Sequence, residues 1–130
     1  MVRGVANNAE LEYAVMLAVL DFQTEFMKST YSNVQAHVVN ELIHVRLLRT
    51  LPVPAEKELA RSPEGYGLLR RFHSALFDSC QHILQARIEQ AIGMKIHSIL
   101  TDLDPVAAEN TIVIRLDEPL SASTSGQPIG

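Results

Sequence analysis

Residues 51–65, LPVPAEKELARSPEG, decide how the chain is organised. They contain three prolines and two patterns typical of helix starts, with charged residues between apolar ones. Pro54 is suited to the first turn of a short helix, since its fixed backbone angle and missing N–H fit that position. Ser62 is suited to cap a second helix starting at Pro63, because its hydroxyl can accept from a first-turn amide. The segment therefore predicts a short linking helix, with Leu59 and Ala60 packed inward, between two larger parts of the chain.

Long apolar patterns at helical spacing lie on both sides of this segment. Residues 8 to about 29 predict a first helix, and residues 63–92 predict a second that ends at Gly93. The first helix has two apolar stripes on nearly opposite sides: Leu11, Val15, Ala18, Val19, Phe22 and Phe26, then Tyr13, Met16, Leu20 and Met27. A sheet covers only one side of a helix. We therefore expect a homodimer interface through this helix, or alternatively a partly apolar surface helix.

Each of these helices is followed by a pattern typical of a β-hairpin. Residues 34–39 and 42–48 are rich in β-branched side chains and are separated by a two-residue turn, Asn40-Glu41. Residues 95–101 and 111–117 predict a second hairpin. The order αββαββ predicts an α+β fold: a four-stranded antiparallel sheet with two long helices on one face and a short linking helix.

The second strands of the two hairpins have similar sequences. Residues 40–47 read NELIHVRL and residues 109–116 read ENTIVIRL. This similarity could reflect an internal duplication, or the same strand chemistry reached twice.

Length, charge and cysteine content limit the class of protein. The 130 residues fit a single domain over residues 8–120, with a flexible N-terminus over 1–7 and a disordered, Ser/Thr/Gly-rich tail over 121–130. A net charge of −4 argues against a nucleic-acid partner. A single cysteine, Cys80, suits a reducing compartment. With no apolar run near the roughly 20 residues that span a bilayer and no secretory signal, we expect a cytoplasmic chain that does not insert directly into the membrane.

Strand alternation predicts which residues each face of the sheet presents. The aliphatic sets Ile43, Val45, Leu47 and Ile112, Ile114, Leu116 should face the helices. The other face should carry Gln35 opposite Arg46, and His97, Ile99 and Thr101 from the third strand. Its candidate ligand-binding residues are His37, His44, Arg46, His97 and Arg115. They could bind a small anion or respond to pH; alternatively the face is solvated or pairs with another subunit.

Residue patterns for catalysis or metal binding are weak. No phosphate-binding loop, nucleophile elbow or zinc-protease motif occurs. His73 and Cys80 lie seven residues apart on one helix, too far to act as base and nucleophile. His37 and His44 lack a third metal ligand of convincing spacing. The acidic loop of Asp102, Asp104 and Glu109 lacks the calcium-loop pattern. We expect a non-enzymatic protein without metal or cofactor.

The linking segment and its surroundings resemble the MpsC-like family, once a domain of unknown function. The matching pieces are Val45-Arg46-Leu47, VPAEKELA at 53–60, Ser62-Pro63-Glu64-Gly65, Ile92-Gly93-Met94-Lys95 and Asp102. The family motif falls on Pro54, Ala55, Glu56, Leu59, Ala60, Pro63, Glu64 and Gly65. The resemblance covers roughly residues 8–120, and the chain departs from the pattern at Pro52 and at Tyr66-Gly67.

This resemblance implies a soluble accessory or regulatory component of a Na⁺-translocating, membrane-potential-generating system linked to inorganic-carbon transport, with a membrane-protein partner. It implies no catalytic residues. The charged ridge of Glu56, Lys57, Glu58 and Arg61 would dock on the partner, or alternatively the segment only closes the core. The alternative function is a small-anion or pH-responsive binding domain that uses the His/Arg sheet face.

Overall fold

The computed structural model describes residues 7–27, 31–49 and 53–118. Its elements, in chain order, are α1 (Asn8–Phe22), a π-helical turn (Gln23–Met27), β1 (Asn33–Val39), β2 (Leu42–Leu48), α2 (Pro54–Leu59), α3 (Pro63–Ile92), β3 (Ile96–Asp104) and β4 (Glu109–Leu116). The α+β class and the four-stranded antiparallel sheet are confirmed. Apart from Asn7, the predicted flexible N-terminus and tail lie outside the described residues.

The helix ends follow from local side-chain chemistry. The Asn7 Oδ1 accepts from the Glu10 amide at 2.8 Å, while the Glu10 carboxylate accepts from the Asn7 amide at 3.3 Å. This reciprocal capping box fixes the start of α1. At α3, the Ser62 Oγ accepts from the Gly65 amide at 3.0 Å, and Gly93 ends the helix with φ of 70°. The predicted second helix is therefore confirmed at both ends.

The predicted first helix is confirmed over Asn8–Phe22, whereas Gln23–Met27 form a π-helical turn. Its predicted end near residue 29 lies outside the described residues. A π turn holds more residues than an α turn, so it rotates every later side chain around the axis. Gln23 and Met27 consequently lie in the core, while Phe26 is half-buried. Placing Met27 on the second, outward stripe was wrong for this reason.

The two hairpins join through their second strands, in the order β1-β2-β4-β3. The register pairs His44 with Val113, next to the central pair Val45–Ile112 of the β2–β4 ladder. These two residues also correspond when the similar segments 40–47 and 109–116 are aligned. The sheet therefore has an approximate local two-fold relation at this pair, which both an internal duplication and the same strand chemistry reached twice would produce.

One face of the sheet is sealed by α1 and α3. The predicted inward sets of β2 and β4 are buried: Ile43, Val45, Leu47, Ile112, Ile114 and Leu116. A bulge between Ile96 and Ser98 shifts the alternation of β3. Ile99 and Thr101 therefore pair with Ile114 and Ile112 on the helix-facing side. Assigning Ile99 and Thr101 to the open face was wrong, because the extra residue at the bulge, His97, moves every later residue of β3 to the opposite face from the one that regular alternation predicts.

Candidate functional site

The open face of the sheet brings two histidines together. His37 pairs directly with His44 across β1 and β2, and Gln35 pairs with Arg46 one step along, as predicted. Both imidazoles are exposed. Facing residues on one side of an antiparallel pair have β-carbons about 5 Å apart. Of the five candidate ligand-binding residues, these two histidines are the ones that the strand register pairs directly.

Both arginines of this face contact carboxylates. The Arg46 guanidinium donates to Glu109 through Nε at 2.8 Å and Nη2 at 3.3 Å. This two-point contact lowers the pKa of the Glu109 carboxyl and raises the pKa of Arg46, since each charge favours the other. Arg115 Nη2 lies 3.6 Å from a Glu41 carboxylate oxygen. An anion on this face would therefore compete with Glu41 and Glu109.

His97 lies at the β3 bulge, outside the regular ladder. Its Nδ1 is 3.7 Å from a carboxylate oxygen of Asp117. Together with Arg115 and Glu41 it lines a shallow depression at one end of the sheet. The five candidate residues therefore do not form one cluster. His37 and His44 form a central pair, Arg46 and Arg115 lie on either side of it along the strands, and His97 lies at the end of the sheet.

The linking segment forms a short helix, as predicted, and most of it is exposed. Pro54 stands in the first turn of α2, and no residue of α2 is buried. The inward packing expected of this segment is absent at Leu59, which remains 42 % exposed, while Ala60 is half-buried. The carbonyl of Leu59 instead lies against Gly65, the buried glycine in the first turn of α3. The α2–α3 junction is therefore a backbone-to-backbone contact.

The remaining motif residues divide between the two helix starts. Ala55 and Glu56 lie in the first turn of α2, and Pro63 and Glu64 lie in the first turn of α3. A carboxylate near the start of a helix interacts favourably with its positive end. Arg61 and Glu58 form an exposed contact at 3.5 Å on the outer side of the junction.

Sequence reasoning missed a chain of polar contacts that runs from half-buried His73 to the buried Asn110. The Thr101 hydroxyl donates to the Asn110 Oδ1 at 3.0 Å, and His73 Nε2 lies 3.4 Å from the same hydroxyl oxygen. Since the Thr101 hydroxyl donates its proton to Asn110, its oxygen can accept from His73 in the tautomer that carries a proton on Nε2. Burial lowers the pKa of His73, which favours the neutral imidazole over the charged one. The sequence signal that could have found it is that Asn110 shares the alternation of Ile112 and Ile114 in β4, which places a polar side chain on the inward face.

Asn110 is fully buried, and its Nδ2 has no hydrogen-bond partner among residues 7–27, 31–49 and 53–118. The same holds for both amide atoms of Gln23, in the π turn. Buried polar atoms normally have partners. These two side chains therefore mark places where the core is less stable than an apolar core of the same shape.

A partly enclosed cavity of about 250 Å³ lies beside His73, between the linking helix, α3 and the sheet. Its wall includes Tyr31, Arg49, Glu56, Phe72, His73 and Leu103. The Arg49 guanidinium carbon lies 4.8 Å from the centre of the Tyr31 ring. Its Nη1 is 3.6 Å from a Glu56 carboxylate oxygen. The cavity thus presents one cation and one anion side by side within an otherwise largely apolar wall.

Within the described part of the chain, no helix is long and apolar enough to cross a membrane. No group of three or more His, Cys, Asp or Glu side chains there is placed to hold a metal ion. Cys80 is half-buried, and its thiol donates to the Leu76 carbonyl at 3.2 Å, as suits a structural residue at the edge of the core.

Comparison with known protein families identifies the family to which the chain belongs. A family model described as "Na+-translocating membrane potential-generating system (MpsC)" matches residues 7–118. No curated protein and no solved structure matches the chain. The family match covers α1, both hairpins, the linking helix and α3, which is most of the chain. The chain therefore belongs to the MpsC family.

Proposed function

We propose that the chain is a non-enzymatic accessory protein of a Na⁺-translocating, membrane-potential-generating system. The observation that carries this proposal is the family match over residues 7–118. In this role the chain works in the cytoplasm and regulates a membrane-protein partner by binding to it. Inorganic-carbon uptake driven by the resulting potential would be the process that it serves.

The charged ridge on the linking helix is the docking surface in this proposal. Lys57, Glu58 and Arg61 are exposed, and Leu59 adds an exposed apolar side chain between them. Interfaces commonly combine an apolar contact with a polar, charged rim. Since α2 makes few contacts with the core, substitutions on its outer side can change binding without unfolding the protein.

A charge reversal tests this docking surface. We expect Lys57→Glu to reduce the amount of membrane-protein partner that co-purifies from native membranes, and to reduce the membrane potential restored to a strain that lacks the gene. The matched control is Arg71→Glu, which makes the same charge reversal at an exposed position outside α2. Equal recovery of partner with wild type and Lys57→Glu would refute docking through this ridge. Absence of any effect of the gene on membrane potential would refute the function itself.

We also propose that the chain forms a homodimer through α1. Tyr13 and Leu17 are 59 % and 42 % exposed on the outer side of this helix. Leu17 lines a groove of about 390 Å³ between α1 and α3, together with small side chains such as Ala14 and Ala91. A second copy of α1 placed there would bury these apolar groups.

Light scattering distinguishes this interface from one on the sheet. We expect Leu17→Glu to convert a dimer into a monomer, whereas Leu100→Glu leaves it intact, because Leu100 is equally apolar but lies on the open sheet face. A monomeric wild type would contradict the proposal. Loss of the dimer only in Leu100→Glu would move the interface to the sheet.

The histidine pair supports a second candidate function, anion binding on the open sheet face. The direct register of His37 with His44, flanked by Arg46 and Arg115, favours it. Titration with inorganic phosphate should shift the imidazole proton resonances of both histidines, and Arg46→Ala should abolish the shift. Identical titrations of wild type and Arg46→Ala would contradict a phosphate site that includes this arginine.

A further inference from the structure

We propose that the outer edge of β3 can pair, strand to strand, with the β3 edge of a second copy of the chain, and that an ion pair between Arg70 and Asp102 keeps this edge closed. In wild type the edge stays closed until the ion pair opens. The edge is separate from the charged ridge and from the α1 groove, so its role does not rest on the accessory function or on the α1 interface.

The Arg70–Asp102 ion pair crosses the outer edge of the sheet. Asp102 pairs with Thr111, and Thr111 pairs with Arg46, so the Asp102 side chain lies on the open face. The Arg70 guanidinium donates to the Asp102 carboxylate from α3, which lies on the opposite face. Because β3 is an edge strand, the Arg70 side chain makes this contact by passing around the outside of β3. It therefore occupies the space that a further strand would need.

The backbone groups directed outward from β3 belong to Ile99, Thr101 and Leu103. The Leu116 amide donates to the Glu41 carbonyl at 2.8 Å, so even-numbered residues of β4 bond to β2 and odd-numbered ones bond to β3. Through the β3–β4 register, the even-numbered residues of β3 then bond to β4. The odd-numbered ones direct their N–H and C=O groups outward, where no hydrogen bond joins them to another described residue. Such groups are a template for pairing with another strand.

Charged helix side chains reach over both edges of the sheet. At β1, the Glu12 carboxylate accepts from the Val38 amide at 2.8 Å. At the start of β3, the Glu89 carboxylate accepts from the Ile96 amide at 2.9 Å. Natural edge strands commonly use charged side chains to prevent pairing between molecules. Arg70 extends this protection further along β3.

A two-fold axis through Leu100 makes the β3 edge complementary to itself. In an antiparallel pair of β3 strands with this register, Ile99 of one copy faces Thr101 of the other, and both direct backbone groups across the join. Leu100 then faces its own counterpart. Its side chain is 67 % exposed, so the pairing would cover an apolar group on the open face. A second copy therefore fits both the backbone and the side chains of this edge.

The α3 surface beside the edge is also complementary to itself. Arg71, Ser74, Ala75 and Asp78 line the groove between α3 and β3, and all four are exposed. In an antiparallel pair of α3 helices centred between Ser74 and Ala75, Arg71 of each copy faces Asp78 of the other. These opposite charges favour the pairing, and the small side chains at the centre let the helices approach.

The strand axis and the helix axis lie at the same level. His73 Nε2 is 3.4 Å from the Thr101 hydroxyl oxygen, so these residues lie side by side. Glu89 contacts Ile96, so α3 and β3 run in opposite directions. From His73 the helix centre is about 2 Å further along α3, and from Thr101 the strand centre at Leu100 is about 3 Å away in the same direction. One two-fold axis therefore serves both surfaces.

The helix layer leaves room for this join. Since α1 and α3 cover four strands, each helix covers about two strands, whose spacing is about 4.8 Å. Two α3 helices related through the β3 edge would then be about 9.6 Å apart, within the roughly 8–10 Å at which helices pack. Both Arg70 and Asp102 are exposed, so their ion pair contributes little to stability and can open without unfolding the chain.

Removing either partner of the ion pair tests the closed edge. Arg70→Ala and Asp102→Ala should each double the mass that light scattering gives for wild type under the same conditions, whatever that mass is. Arg71→Ala is the matched control, because it makes the same change one residue later and leaves the Arg70–Asp102 contact intact. Its mass should equal that of wild type. The proposal is overturned if neither opening variant has a larger mass than wild type, or if Arg71→Ala alone has the doubled mass.

Amide hydrogen exchange assigns the association to β3. In both opening variants, the Ile99 and Thr101 amides should exchange at least about tenfold more slowly than in wild type, because carbonyls of the second copy accept from them. Adding Leu100→Glu to either variant should restore the wild-type mass and exchange rates, since it places two like charges face to face on the axis. A doubled mass that survives Leu100→Glu, or that leaves the exchange of these two amides unchanged, would overturn pairing through β3.

Discussion

Gly65→Ala should destabilise the protein, although the same change stabilises most helices. Replacing a helical glycine by alanine ordinarily stabilises by about 1 kcal/mol. At Gly65, however, an added β-carbon would lie 1.9 Å from the carbonyl oxygen of Leu59 and 2.8 Å from its carbonyl carbon. Ordinary contacts of a β-carbon are 3.4–4 Å. The end of α2 and the start of α3 would have to separate by more than an ångström.

The size of the effect follows from what this separation disturbs. Both atoms that clash belong to the backbone, so no side-chain rotation can relieve the contact. The shift also strains the bond from the Gly65 amide to the Ser62 hydroxyl, a helix cap of a kind that contributes about 1 kcal/mol. Overpacking a well-packed site costs about 1–3 kcal/mol. We therefore expect a net loss of about 1–3 kcal/mol in the free energy of unfolding.

Gly67→Ala is the matched control, two residues later in the same helix. Its added β-carbon would meet only the flexible end of the Arg71 side chain, at 3.2 Å. This variant should gain up to about 1 kcal/mol. Urea denaturation followed by circular dichroism at 222 nm measures both changes, and a shift of roughly 3 °C or more in Tm per kcal/mol provides a second measurement. A Gly65→Ala protein as stable as wild type would refute the backbone contact between α2 and α3.

Three further predictions concern groups in or beside the core. Gln23→Met should raise the free energy of unfolding by about 1–3 kcal/mol, as measured by urea denaturation. The reason is that the buried Gln23 amide has no hydrogen-bond partner among the described residues, and methionine replaces it by an apolar side chain of similar length. A less stable variant would contradict this. Wild type should lose stability as pH falls below about 6.5, since His73 has a lower pKa folded than unfolded and the unfolded chain takes up its proton first. His73→Gln should remove this loss of stability at about pH 6. It should leave unchanged the further loss of stability below about pH 4.5, which comes from Glu89 and Glu109, because their pKa values are lower in the folded protein than in the unfolded chain. The Glu12 carboxylate accepts from the Val38 amide of edge strand β1 at 2.8 Å, so Glu12→Ala should speed hydrogen exchange of that amide by about tenfold, and unchanged exchange would refute the contact.

The candidate binding residues on the open sheet face could be predicted because a two-residue turn fixes its own register. Once Asn40 and Glu41 form the turn, His37 must pair with His44 and Gln35 with Arg46. Asn40 has a positive φ of 56°, which Asn tolerates better than most residues. The carboxylates that contact Arg46 and Arg115 could not be predicted in the same way. Arg46 meets Glu109 only because β2 lies beside β4, and these residues are 63 positions apart.

The cavity beside His73 was equally inaccessible to sequence reasoning. Arg49 follows β2, Glu56 lies on α2, and His73 lies within α3, so no local pattern connects them. Their approach depends on how closely α2 is held against α3 at Gly65. The sequence of the linking segment predicted where helices begin, whereas only the tertiary structure showed that its Glu56 carboxylate faces Arg49.

What the sequence determined by itself was local. Pro63 and Ser62 start α3, Gly93 ends it, and alternating residues assign β2 and β4 a buried face, because caps, turns and periodicity act over a few residues. Tertiary structure alone decided the strand order, the bulge in β3 and the π turn that brings Gln23 into the core. Each of these depends on contacts between segments distant in the chain. The free energy gained by burying apolar surface between these segments outweighs the cost of a bulge or a π turn, and a short stretch of sequence does not show that balance.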